Sequence, residues 1–129
     1  MTDSCCDLTA EEITELGLTV LPLTYTLDGV NHKNDVFHPE MTNQEFFQKI
    51  REGADCSTSA VSVGEFHDAM RPILESGKDI LCVSFSSALS TTSQSACIAA
   101  EDLRPEFPEA RIIVIDSLSA SRGQGMLLW

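Results

Sequence analysis

Positive charge is the scarcest feature of this 129-residue sequence: Lys and Arg number 8 against 20 Asp and Glu, for a formal net charge of -12. No basic run interrupts the acidic balance, so a surface of this kind repels phosphate backbones and anionic membranes. Nucleic acid is excluded as a partner. No apolar run approaches the length of a bilayer span, which excludes an integral membrane segment. The opening residues, MTDSCCDLTAEE, lack both the positive start and the apolar stretch of a secretory signal. The expectation is a cytoplasmic protein.

Several chemical signatures are also missing. There is no GxxxxGK[ST] loop and no GxGxxG after a strand, so nucleotide binding lacks its glycines. There is no GxSxG elbow, and the only bases are His32, His38 and His67. None of them follows a strand end in a triad-like arrangement. His67, beside Phe66 on an expected helix, reads as surface or half-buried. His32 and His38 fall in a polar stretch and read as solvated. The carboxylates Glu11, Glu12, Glu45 and Glu65 stand at helix starts, where caps and helix dipoles account for them. The five cysteines are odd in number and irregular in spacing, which argues against a disulfide framework. Cys82 in an apolar strand pattern and Cys97 in an Ala-rich helix pattern read as small buried side chains. Cys5 and Cys6 are adjacent, tend to point apart and have no CxxC or His partner, so no metal site and no cofactor is expected.

What remains is ordinary globular composition, 43% hydrophobic and 22% charged, in a length that suits one domain. Three segments carry a capping box: Thr9 with Glu12, Thr42 with Glu45, and Ser62 with Glu65. Gly17, Gly53 and Gly77 supply the matching ends. The spacing predicts helices near 10–16, 43–52 and 63–76, the last facing the core through Phe66, Met70, Ile73 and Leu74. Phe46, Phe47 and Ile50 read as a core face of the second. Residues 18–27 read as a strand closed by Asp28-Gly29, and Pro22 marks an edge or a bulge. Residues 30–41 read as an irregular polar excursion. DILCVSF (79–85) and RIIVI (111–115) read as strands buried on both faces. A small-residue helix over 91–103 separates them, and a helical segment from about Ser119 runs to Trp129. Strand alternating with helix predicts an α/β fold, a parallel sheet flanked by helices with right-handed crossovers. The start at Thr2-Asp3-Ser4 resembles the tip of a strand, and both ends look truncated.

Hydroxyl side chains cluster twice, at Ser57-Thr58-Ser59 through Ser62 and at Ser84 through Ser93. The second cluster follows the carboxyl end of a strand and leads into a helix, the usual place for a ligand in an open α/β sheet. Free N–H groups at a helix start favour an anion there. On the residues alone, two readings stay open: an anion site, or caps and turns only.

Five segments in order resemble motifs of the DegV family: TDSCCDL, LTVLPLTYTLDG, STSAVSVGEF (57–66), FSSALSTTSQSACIAA (85–100) and IDSLSASRGQGMLL (115–128). The third is similar to TSQPS-GEF and the fourth to SSxLSGTYQSA. The resemblance implies the amino-terminal lobe of a two-lobed protein that holds a long-chain fatty acid between its lobes, residues 1–129 forming one lobe and the second being absent. It implies that Thr58 and Ser90 hydrogen-bond the carboxylate, with Ser59, Ser87 and Thr92 in support. It implies a non-enzymatic carrier that presents the acid to a separate fatty-acid kinase of the dihydroxyacetone-kinase-like type. Two departures stand out: Ala60-Val61 replace Gln-Pro, and Thr91 replaces Gly. The alternatives are a phosphoryl- or acyl-transfer enzyme using a serine of the 86–93 loop, and a structural fragment without ligand.

Overall fold

The computed structural model describes residues 1–129. Helices α1 (Ala10–Glu15), α2 (Asn43–Arg51) and α3 (Val63–Glu75) each open with a complete capping box. In α3 the Glu65 N–H donates to Ser62 Oγ at 3.3 Å while the Ser62 N–H donates to Glu65 Oε2 at 2.8 Å. Each helix closes in the same way. For α3, the Gly77 N–H donates to the Leu74 carbonyl and the Lys78 N–H to that of Ile73, with Gly77 at φ +79. This pair of bonds is the Schellman arrangement, which a left-handed residue makes without a Cβ clash.

A parallel sheet forms the centre. Strand β1 (Thr2–Asp3) pairs with β2 (Val20–Leu21), and β6 (Ile80–Ser84) pairs with β7 (Ile112–Asp116). The Val83 N–H donates to the Met1 carbonyl and Thr2 Oγ1 donates to the Val83 carbonyl, which ties β1 to β6. The first residues are therefore a two-residue strand held between β2 and β6, and Thr2 and Asp3 are fully buried. Helix α4 (Thr92–Leu103) makes the crossover from β6 to β7. The core lies between the sheet and α3–α4. Phe66, Met70 and Leu74 meet Ala96, Ala99, Ala100 and Leu103 over Leu21, Ile80, Cys82 and Ile112. Small residues on α4 let its backbone approach, and large ones on α3 fill the space. Truncating Phe66 to Ala would cost about 3–5 kcal/mol.

The other face of β6–β7 is only partly covered: Leu81, Ile113 and Ile115 are 53%, 49% and 45% exposed. The expectation of strands buried on both faces holds for the face beneath α3 and α4 and not for this one. Continuous apolar runs mark parallel strands whether or not the second face is filled within the same 129 residues.

A second, antiparallel sheet was not expected. Its order is β4–β3–β5, from β3 (Thr24–Leu27), β4 (Val30–Lys33) and β5 (Cys56–Ser59). Residues 18–27 are two strands in two sheets, because the chain leaves the ladder at Pro22, which has no N–H to donate. Asp28 and Gly29 both take positive φ, +49 and +80, which a type I′ hairpin requires, and residues 30–33 return as β4. Four further readings need correction. His32 is not solvated: its ring stacks on Tyr25 at 5.1 Å and Nδ1 lies 2.6 Å from Glu40. Phe46, Phe47 and Ile50 do not form a core face, since α2 buries no residue. Phe46 packs edge-on against Tyr25 instead, and Phe47 is exposed. Cys97 is exposed, because α4 turns residues 96, 99, 100 and 103 inward and 97 away. The last helix, α5 (Arg122–Met126), is shorter than the segment from Ser119 to Trp129. No helix is long and apolar enough to cross a membrane.

Candidate ligand cleft

Past the carboxyl end of β6 the chain folds back sharply. The N–H groups of Leu89 and Ser90 both donate to the Ser86 carbonyl, at 3.0 and 3.1 Å. The Ser86 N–H donates to the Ser119 carbonyl, and the Ser87 N–H donates to Asp116 Oδ1 at 3.1 Å. Bonds from Ser87 and the Leu118 N–H hold the Asp116 carboxyl below its ordinary range. The loop between β6 and α4 is thus braced by the last residue of β7 and the turn that follows it.

This loop and the polar strand β5 face one cleft of about 670 Å3. Thr58, Ser59, Ser87 and Ser90 all line it. The structure therefore brings together four of the five hydroxyl residues that the sequence singles out. Thr92 does not line it; it is fully buried. Its Oγ1 lies 2.9 Å from Ser90 Oγ, and its N–H donates to Ser90 Oγ at 3.2 Å, so it orients Ser90 from behind. Thr58 comes from a strand and not from a loop: it lies opposite Tyr25 in the β3–β5 register. Hydroxyl-rich CSTS has no apolar alternation, and backbone pairing with β3 alone makes it a strand.

Ser90 stands two residues before α4, as the sequence suggests. The N-cap is Thr91, which makes no side-chain cap bond. The first turn of α4 therefore keeps N–H donors that the cap does not take, a setting that favours an anion. Of the two departures, Thr91 and Ala60 line the cleft, while Val61 fills the core with 1% exposure.

Sequence reasoning missed the apolar part of the lining, Leu23, Phe85 and Leu89, together with Cys5. Phe85 had a signal, since it follows the end of a parallel strand. Leu23 and Cys5 had none, because only tertiary pairing brings β1 and β2 beside β6. Burial, with Asp3 and Asp7 nearby, pushes the Cys5 thiol up to about 12. It is a neutral wall and not a thiolate. The hydrogen-bond partners of Ser90 Oγ are the Thr92 hydroxyl and the Thr92 N–H. No group of three or more His, Cys, Asp or Glu side chains is placed to hold a metal ion. The cleft is lined by both hydroxyl side chains and the apolar Leu23, Phe85 and Leu89, a mixture that fits an amphipathic ligand.

The chain is similar to known proteins over its whole length. The DegV family model ("Uncharacterised protein, DegV family") matches residues 1–129. A DegV domain-containing protein of Clostridium perfringens is 36% identical over 128 residues, 99% of this chain and 44% of that protein. The chain thus spans less than half the length of this relative. A fatty-acid-binding DegV family protein from Thermus thermophilus matches with a TM-score of 0.84 at 39% identity, over 98% of this chain and 43% of the other. A stearic-acid-binding protein from Eubacterium ventriosum matches with a TM-score of 0.88 at 28% identity, over 98% and 43%.

Proposed function

The chain belongs to the DegV family, and from that premise we propose that the protein binds a long-chain fatty acid and presents its carboxylate to a separate kinase. One observation carries this reading: Thr58 and Ser90 share a cleft with Leu23, Phe85 and Leu89. In this assignment the two hydroxyls donate to the carboxylate, Ser59 and Ser87 stand beside them, and Thr92 holds Ser90 in place. Residues 1–129 act as one lobe, and a second lobe closes over the acyl chain. The similar Thermus and Eubacterium proteins bind fatty acid, which supports the ligand class.

The energetics suit such a ligand. Each buried methylene stabilises by about 0.8 kcal/mol, so a long tail contributes up to the order of 10 kcal/mol. A hydrogen bond to the charged head contributes about 1.5–3 kcal/mol. The tail supplies affinity and the hydroxyls fix the head. The net charge of -12 does not forbid an anion. The donors act locally, while distant surface charges are screened.

The protein acts as a carrier in this reading: it holds the acid while a kinase of the dihydroxyacetone-kinase-like type transfers phosphate to the carboxylate. The test is extraction and mass spectrometry of the protein purified from cells at its natural length, followed by incubation with labelled ATP. Free fatty acid near one equivalent, and labelled acyl phosphate only when the kinase is added, are the expected results. A phospholipid, a nucleotide or a metal in its place overturns the ligand. Label transfer without any kinase overturns the carrier role.

A further inference from the structure

Asp3 does not line the cleft, yet it holds two residues that do. Its Oδ2 accepts the Phe85 N–H at 2.8 Å, across 82 positions of sequence, and its Oδ1 accepts the Cys5 N–H at 3.1 Å. Phe85 follows β6 and Cys5 lies in the turn after β1, and both line the cleft. The carboxylate is fully buried. A third donor, Gln124 Nε2, reaches Oδ1 at 3.3 Å and also donates to Thr2 Oγ1 at 3.0 Å. Gln124 is itself fully buried, and its Oε1 has no hydrogen-bond partner. The amide is therefore placed by what it donates to, because an unpaired buried oxygen is a cost and not a gain.

Helix α5 delivers that amide. A Cβ at Gly125 would lie 2.6 Å from the Cys6 carbonyl, so α5 sits as close to the 3₁₀ turn Ser4–Cys6 as glycine allows. The result is a chain of contacts from α5 through Gln124 to Asp3, and from Asp3 to two walls of the cleft.

We propose that Asp3 is the positioning residue of the cleft: its carboxylate, secured by Gln124, sets the spacing of Cys5 and Phe85 that admits the ligand. This rests on the reading of the cleft as the ligand site. A backbone N–H pinned to a buried carboxylate cannot move without losing its only partner, so the two walls keep one separation. Burial works against the charge and raises the Asp3 pKa, while the bonds from Phe85, Gln124 and Cys5 oppose that rise.

The test uses the protein at its natural length and a fluorescent long-chain fatty acid as probe. Three variants are compared with the unaltered protein for dissociation constant and unfolding midpoint: Asp3→Asn, Ser90→Ala and Leu74→Val. Leu74 is a core residue in the last turn of α3 and does not line the cleft. An amide group can accept at only one end, so Asp3→Asn leaves either Phe85 or Cys5 without an acceptor. The expected result is a dissociation constant roughly tenfold higher, the loss of about one charge-assisted hydrogen bond. Shifts of the Phe85 and Cys5 amide resonances accompany it. Leu74→Val lowers the midpoint and leaves the dissociation constant unchanged.

If Ser90→Ala weakens binding and Asp3→Asn does not, the positioning role is wrong and the site stands. If neither weakens it, the site itself is wrong and the positioning role falls with it. Equal weakening by Asp3→Asn and Leu74→Val means general loosening and overturns the proposal. Should Asp3→Asn fail to fold, Gln124→Met decides: weaker binding with a cooperative unfolding transition supports the role, and unchanged binding overturns it.

Discussion

Ser90 Oγ lies 2.9 Å from Thr92 Oγ1 and accepts the Thr92 N–H at 3.2 Å, so one oxygen both starts helix α4 and faces the cleft. Its two roles separate by mutation. Ser90→Ala removes a donor worth about 1.5–3 kcal/mol to a charged ligand and a helix-start bond worth about 1 kcal/mol to folding. Ser90→Asp keeps an acceptor for the Thr92 N–H but sets a negative charge against the ligand carboxylate. Asp should lose bound fatty acid and keep the unfolding midpoint, while Ala should lose part of each. Extraction with mass spectrometry and thermal unfolding measure the two effects. If bound fatty acid is unchanged in both variants, the hydroxyl cluster is turn chemistry alone.

Gly125→Ala should destabilise the chain even though alanine is the better helix former. The new methyl carbon would meet the Cys6 carbonyl at 2.6 Å and Leu8 Cδ2 at 3.0 Å, and the nearer neighbour is backbone. Overpacking of this kind costs about 1–3 kcal/mol. Gly123→Ala meets nothing closer than 3.7 Å and should be neutral or stabilising, by up to about 1 kcal/mol of helix propensity. Denaturant midpoints of the two variants should fall on opposite sides of the parent or nearly so. Equal effects would mean α5 does not dock against the turn at Ser4–Cys6.

Acid should loosen two connections together. The Lys33 ammonium, 2.5 Å away, holds Glu65 at about 2, and the Arg122 guanidinium holds Glu12 at about 2. Both values lie below the ordinary Glu value of about 4.3. A carboxyl with a depressed folded-state pKa stabilises above its unfolded value and loses that contribution as pH falls through the folded one. The window is therefore from about 4.3 down to about 2. Asp3 has the opposite sign. Its pKa is raised by burial, so its ionisation costs stability at higher pH and its protonation relieves that cost. Unfolding midpoints should hold steady from neutral pH to about 5 and then fall, and Glu65→Gln should flatten part of the fall. Midpoints that climb all the way to pH 2 would show that Asp3 outweighs the paired carboxylates.

The five cysteines should separate by reactivity. Cys56 and Cys97 are exposed, Cys6 and Cys82 are buried, and Cys5 is partly buried. Burial pushes the Cys5 and Cys82 thiols up to about 12. The thiolate is the reacting species, so a cleft cysteine of this kind lags even when a reagent can reach it. Native mass spectrometry after a short exposure to a maleimide at neutral pH should show labels on Cys56 and Cys97, with the rest appearing on unfolding. Prompt labelling of Cys5 would contradict its placement beside Asp3 and Asp7.

The helices were legible because their signals are short. Thr9 with Glu12, Thr42 with Glu45 and Ser62 with Glu65 close their boxes within four residues, and Gly17, Gly53 and Gly77 end the helices a few residues later. The Asp28-Gly29 turn is equally local. Phe66, Met70 and Leu74 follow helical spacing, so the inward face of α3 could be read as well. The hydroxyl cluster after β6 was visible for the same reason, and so was the position of Ser90 just before a helix.

The remaining features depend on partners far along the chain. Cys56–Ser59 is a strand because Thr24–Leu27 pairs with it, and nothing in CSTS announces that. Cys97 is exposed and His32 sheltered through the way α4 and Tyr25 are turned, which composition does not express. Asp3 reads as one more acidic residue in an acidic sequence, yet the fold buries it and sets it 2.8 Å from the Phe85 nitrogen. By itself the sequence determined the caps, the turns, the inward face of α3 and the family. Tertiary structure alone decided which distant backbones pair, and with them the cleft that Thr58 and Ser90 both line. Caps and turns are settled by hydrogen bonds between near neighbours, whereas strand pairing and burial are settled by contacts whose entropy cost only the assembled core repays.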